Sequence, residues 1–181
     1  MSTFSRSLIA TAAGLALFGL SACGSGGPTG GSSNETSAAP TSESGSGLAS
    51  FDPCTFFKPD ELTSYGLSTQ SEEFTQVSFQ PGCSWTGKKM SLALQKNADE
   101  TVKSLGEGGG HDEYTEIKIA GRDAARMIVA GAKDQGGCVT VVSAGGGIVL
   151  YQVTGYMRDS LADPCGEVEK IANQTASRLP K

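Results

Sequence analysis

One histidine and one tryptophan stand in a chain of 181 residues, and 14 Lys and Arg are outnumbered by 19 Asp and Glu. Each scarcity excludes something. With a lone histidine and no G-x-S-x-G elbow there is no nucleophile triad to assemble, and no histidine-built zinc set. The glycine runs at 108–110 and 145–147 lack the G-x-x-x-x-G-K-[ST] and G-x-G-x-x-G arrangements, so they read as turns rather than phosphate cradles. A formal charge of −5, with no basic cluster, argues against nucleic acid, whose phosphates demand Lys and Arg. Residues 1–22 contain Arg6 and no acid, so without them the charge becomes −6. A bilayer's anionic surface offers such a chain no electrostatic attraction. Beyond the N-terminus, no apolar run approaches a membrane-spanning length.

Five cysteines are present, an odd number. The first, Cys23, closes the segment Leu20-Ser21-Ala22-Cys23 after an apolar run from Leu8 to Leu20 that follows Arg6. A lightly positive start and a core of this length predict a secretory signal peptide, too short for a spanning helix. The segment resembles a bacterial lipobox. A branched residue and two small ones lie extended in a peptidase cleft, and the thiol then accepts diacylglycerol. Residues 1–22 are thus expected to be removed and Cys23 to be lipidated, since two acyl chains anchor a protein stably where one does not.

Residues 24–50 are dominated by Gly, Ser, Thr, Ala and Pro, with Glu35 and Glu43 as acids and Leu48 as the one large apolar side chain. Such a stretch cannot bury enough surface to offset its ordering entropy. It predicts a disordered tether over 23–50 with a span of about 30 Å, ahead of one folded domain at 51–181. Asn34-Glu35-Thr36 and Asn173-Gln174-Thr175 fit an N-glycan acceptor pattern and are read as chance.

The remaining cysteines, Cys54, Cys83, Cys138 and Cys165, form an even set with no C-x2-C pair, which reads as two disulfides rather than a metal site. Three connectivities are possible. Cys54 with Cys83 and Cys138 with Cys165 join segments near in sequence, although loop entropy does not decide among the three. Asp-Pro-Cys occurs at 52–54 and again at 163–165. Asp caps a helix and Pro suits its first position, so both copies predict helix starts. Pro59, Asp60, Glu61 and Gly66 mark a further short helix. Val168, Ile171, Ala172, Thr175 and Leu179 recur at helical spacing up to Pro180. Between the ends the pattern is β. Strands are expected at 74–79, 83–87, 90–96, 114–121, 123–130, 138–144 and 148–156, with a helix near 97–110 capped by Asn97 or Asp99. Connections this short favour an antiparallel sheet, and the whole reads as an α+β domain with helices at both ends.

His111, beside Asp112 and Glu113, is the one candidate general base, but a glycine-rich loop gives it no rigid setting and the default is an exposed loop histidine. The same acids lack the EF-hand pattern for calcium. Trp85 is expected to pack on the nearby disulfide, and Tyr151 and Tyr156 to hold core or edge positions. Arg122 and Arg126 are expected on solvated faces or paired with neighbouring acids. No catalytic residue, metal or cofactor is expected.

Taken in order, Asp52-Pro53-Cys54, Glu61-Leu62 with Gly66-Leu67, Cys83-Ser84-Trp85, Ile119-Ala120-Gly121 with Ala124, Cys138, Asp163, Cys165, Ile171-Ala172 and Leu179-Pro180 resemble the actinobacterial lipoprotein family of domain of unknown function 3558. Lys58 stands where that family typically has Thr, forfeiting a hydroxyl cap. The resemblance implies an exported lipoprotein, favours the local disulfide pairing, and implies a sheet-and-helix fold similar to PsbP-type domains. It supplies no reaction. The expected function is a non-catalytic accessory or interaction module, held to the outer face of the cytoplasmic membrane through Cys23 and meeting an envelope protein. The alternative is a carrier or sensor of a small apolar ligand or lipid, suggested by "GGIVLYQV".

Overall fold

A computed structural model describes residues 47–181. The signal segment 1–22, Cys23 and the tether up to residue 46 lie outside the described residues. No described helix is long and apolar enough to cross a membrane. The chain runs through a 3-10 turn Pro53–Thr55, α1 (Pro59–Ser64), β1 (Leu67–Glu73), β2 (Gly82–Gly87), β3 (Met90–Asn97), α2 (Val102–Gly108), β4 (His111–Ile119), β5 (Arg122–Val129), β6 (Gly137–Ala144), β7 (Gly147–Gly155) and α3 (Pro164–Thr175). The seven strands form one wholly antiparallel sheet in the order β1-β2-β3-β7-β6-β5-β4. This is the α+β architecture the sequence predicts.

Two hairpin ribbons meet at the centre, where Leu92 faces Val153 and Leu94 faces Tyr151 across the β3–β7 pair. β6 and β7 are apolar at almost every position because both faces of the sheet are covered. On one face α3 and the N-terminal turns close over Trp85, Leu92, Leu94, Tyr151 and Val153. On the other, α2 brings Val102 and Leu105 against Met127, Val139, Val141, Ile148 and Leu150. Alternate side chains of β7 serve opposite cores, the period-2 rule at work. The β6–β7 turn has positive φ at Gly145 (55°) and Gly146 (87°), as a two-residue hairpin with matched twist requires.

Both Asp-Pro-Cys copies start helices. Asp52 Oδ1 accepts the Cys54 N–H at 2.9 Å, and Asp163 Oδ1 accepts that of Gly166 at 2.8 Å. At α1 the missing hydroxyl at Lys58 is partly made good from the other side: Glu61 Oε2 accepts the Lys58 N–H at 3.0 Å, half of a capping box.

Four expectations need correction. The strand expected at 74–79 is a loop, and β1 lies just before it. β1 buries only Leu67 and is otherwise exposed, so an edge strand without an apolar face gave no period-2 signal. Val77 and Phe79, which supplied the apparent alternation, are exposed in that loop. α2 starts later than Asn97 or Asp99, because β3 runs through Asn97; Thr101 is the cap, its Oγ1 accepting the Ser104 N–H at 3.0 Å. His111 opens β4, opposite Val129, rather than sitting in a loop. Finally Leu48, assigned by composition to the tether, is completely buried. Lys96 Nζ donates to the carbonyls of Leu48 (2.9 Å) and Phe51 (2.6 Å), fastening this segment beside β3.

Candidate functional site

Cys54 is joined to Cys83 (Cα–Cα 5.0 Å), tying the first 3-10 turn to β2, and Cys138 to Cys165 (5.1 Å), tying β6 to the first turn of α3. These bonds use all four cysteines of residues 47–181. Cys83 and Trp85 point to the same core, two residues apart on β2. Trp85 is 1 % exposed and meets the Phe57 ring edge-on at 5.1 Å. Phe57 also meets Tyr151 edge-on, and the Tyr151 hydroxyl accepts from Thr175 Oγ1 at 3.1 Å. Burial pushes that hydroxyl's pKa far up, beyond what the Thr175 bond offsets. Tyr151 is therefore a structural core residue, while Tyr156 lies exposed after β7.

The arginines differ from expectation in one case. Arg126 pairs with Glu169 of α3 at 3.4 Å. Arg122 instead donates to main-chain carbonyls: Ser143 at 3.1 Å, Pro180 at 2.8 Å and Leu179 at 2.7 Å. Its fork closes the end of the last helical turn, the 3-10 turn Ala176–Arg178, where the Pro180 carbonyl also accepts the Gly145 N–H at 3.1 Å. Asn173 Oδ1 accepts the Ala120 N–H at 3.2 Å, so this side chain is engaged with the β4–β5 turn.

Among the described residues two grooves stand out, both on the α2 face. The larger, about 1100 Å³, runs between α2 and β4 and includes His111 and Tyr114. The two rings lie 4.9 Å apart, and Tyr114 Oη donates to the Val102 carbonyl. Gly106 has no side chain because a Cβ would stand 2.7 Å from the Tyr114 ring. Burial and the nearby Glu116 charge raise the Tyr114 pKa. The histidine Nδ1 is buried without a partner. The charges lining the groove largely neutralise one another: Lys103 pairs with Glu107 at 3.6 Å and Lys118 with Asp123. Asp112, a sequence candidate for orienting His111, instead accepts the N–H groups of Gly131 (3.0 Å) and Lys133 (3.3 Å). Glu113 pairs with Lys133 at 2.9 Å. Neither of the two carboxylates that flank His111 in sequence is hydrogen-bonded to its ring.

The smaller groove, about 260 Å³, lies over β5, β6 and β7 and is lined by Gln76, Gln135, Gln152, Thr154, Val129 and Val139, among others, without a charged side chain. Nothing in the sequence singled it out, because its residues are scattered between Gln76 and Thr154 and carry no motif.

The family described as Protein of unknown function (DUF3558) matches residues 18–178, from the apolar N-terminal run to the end of the last helical turn. The chain belongs to the DUF3558 family. No curated protein and no solved structure matches it. In this DUF3558 member the two disulfides, the Trp85–Phe57–Tyr151 cluster and the Asp-Pro-Cys helix starts hold the fold together, and the two grooves are open surfaces among the described residues.

Proposed function

We propose that this DUF3558 protein is an exported lipoprotein, anchored through acylated Cys23 to the outer face of the cytoplasmic membrane, and that its domain is a non-catalytic accessory or interaction module of the cell envelope. The observation that carries the reading is the fate of the cysteines. With Cys54–Cys83 and Cys138–Cys165 bonded, Cys23 alone of the five is left over, and it sits at the acceptor position of Leu20-Ser21-Ala22-Cys23. Disulfides also suit an oxidising compartment. Cys23→Ala should release the protein from the membrane fraction, and the mature N-terminus should carry a diacylglycerol thioether. A variant that stays with membranes, or an uncut and unmodified N-terminus, overturns the anchor.

The carrier alternative has less to support it. Ile148, Val149, Leu150, Tyr151 and Val153, whose apolar character suggested a cavity, are all buried against the two helix layers. The open grooves are bounded by charged pairs or amides. An enzymatic role would rest on His111, whose neighbouring carboxylates are engaged elsewhere; His111→Ala is expected to leave cellular phenotype unchanged.

A further inference from the structure

The segments that supply the uncharged groove's lining also carry exposed apolar side chains. Among the described residues five large apolar side chains are exposed: Val77, Phe79, Val129, Tyr156 and Met157. All five lie on the three segments that frame this groove. Val77 and Phe79 belong to the loop after β1 that also supplies Gln76. Val129 ends β5 and lines the groove itself. Tyr156 and Met157 follow Thr154, and the Gly155 N–H donates to the Gly136 carbonyl at 2.9 Å, holding their turn beside Gln135. Phe79 and Met157 are the most exposed of the five, at 55 % and 70 %.

We infer that this is the docking surface of the module, and that its occupant is an extended, uncharged segment of a partner protein anchored by one apolar side chain. The inference rests on the interaction-module reading and names its surface. The chemistry of the lining selects the occupant. Three primary amides, Gln76, Gln135 and Gln152, offer donors and acceptors that match the alternating N–H and C=O groups of a peptide main chain. Val129 and Val139 give a floor for an apolar side chain, and about 260 Å³ holds one such chain with its flanking peptide groups. None of the lining side chains offers a counter-charge to a charged segment. An aromatic and a methionine around a charge-depleted centre are the composition of an interface core.

Site-specific photo-crosslinking in the full chain, expressed in its own cells, tests this. Met157 and Phe79 are each replaced by p-benzoylphenylalanine, with exposed Lys170 of α3, on the opposite face of the sheet, as control, and adducts are identified by peptide sequencing. Both groove positions should join the same uncharged, apolar segment of one envelope protein, about tenfold above the control. Gln152→Glu, which adds a charge to the lining, should lower that yield about tenfold. Adducts to lipid, adducts between two copies of this chain, a highly charged partner segment, equal yields at all three positions, or no adduct would each overturn the inference. Because Cys23→Ala fractionation reads the anchor and these adducts read the surface, either can fail while the other stands.

Discussion

Arg178 grips Glu61 with both arms of its guanidinium, Nη1 to Oε1 at 2.6 Å and Nη2 to Oε2 at 2.8 Å, while its carbon centre lies 4.9 Å above the Phe56 ring. Residues 117 positions apart are thereby joined: the last helical turn of the chain is locked onto α1. The same carboxylate also caps α1 by accepting the Lys58 N–H. Burial works to raise the Glu61 pKa, but the Arg178 and Lys58 hydrogen bonds outweigh it and the net shift is downward. The hydrogen bond to Glu61 correspondingly raises the pKa of Arg178. Bidentate pairs of this geometry are stronger than ordinary surface ion pairs.

Glu61→Gln should therefore destabilise the domain by about 1.5–3 kcal/mol, the range for hydrogen bonds to charged groups. The wild type should show a pH dependence that the variant lacks. Glu61 has a lowered folded-state pKa, so its contribution is present above the ordinary carboxylate pKa and is lost as pH falls through the lowered value. Chemical denaturation of both proteins across the acid range checks this; parallel stability curves would refute it.

Each disulfide closes a loop of similar length, with separations of 29 and 27 residues. Chain entropy assigns about 3–4 kcal/mol to either. Replacing Cys138 and Cys165 together by Ala should lower the unfolding free energy by that order, and so should replacing Cys54 and Cys83. The second pair also loosens the 3-10 turn beneath which Phe57 meets Trp85, so its variant should additionally show altered near-UV tryptophan dichroism. Equal spectra for the two variants would count against that coupling.

What could be read from the sequence follows from where each signal is made. α3 has apolar residues at helical spacing, Asp163 and Pro164 at its start and Pro180 beyond its end, so local rules and tertiary packing agree. β6 and β7 are apolar runs bounded by glycines. β1 was invisible because its partner, β2, supplies hydrogen bonds without demanding an apolar face. Leu48 was misassigned because its neighbours are Gly, Ala and Ser; only the pocket beside β3 and the Lys96 ammonium make it part of the core. The amide-lined groove was likewise hidden, since Gln76, Gln135 and Gln152 converge only through the sheet and carry no sequence pattern.

That reassignment of Leu48 has a measurable consequence. Leu48→Ala removes a fully buried side chain and should cost about 2–5 kcal/mol, as for other core leucines. Lys96→Met should keep the packing of β3 but release the carbonyls of Leu48 and Phe51. Limited proteolysis should then reach residues 47–51 in the Lys96→Met protein while the sheet stays intact. Resistance equal to wild type would mean the lysine does not hold this segment.

Gly147 tests how closely the chain packs where β7 begins. A Cβ at this position would stand 2.4 Å from the Asn97 carbonyl oxygen and 2.8 Å from Ala98 Cα, both backbone atoms that no rotamer change can move aside. Gly66 is the proper comparison: it has φ 74° and nothing within 4 Å of a Cβ. Gly66→Ala should cost about 1–2 kcal/mol, the ordinary penalty of a left-handed residue. Gly147→Ala should cost more, because either the end of β3 or the β6–β7 hairpin must shift. That shift would disturb Leu48 as well, whose Cδ1 lies 2.9 Å from the same point. Thermal unfolding of the two variants side by side decides it. If Gly147→Ala is the milder of the two, the close approach of β7 to the Asn97–Ala98 backbone is not a constraint on the fold.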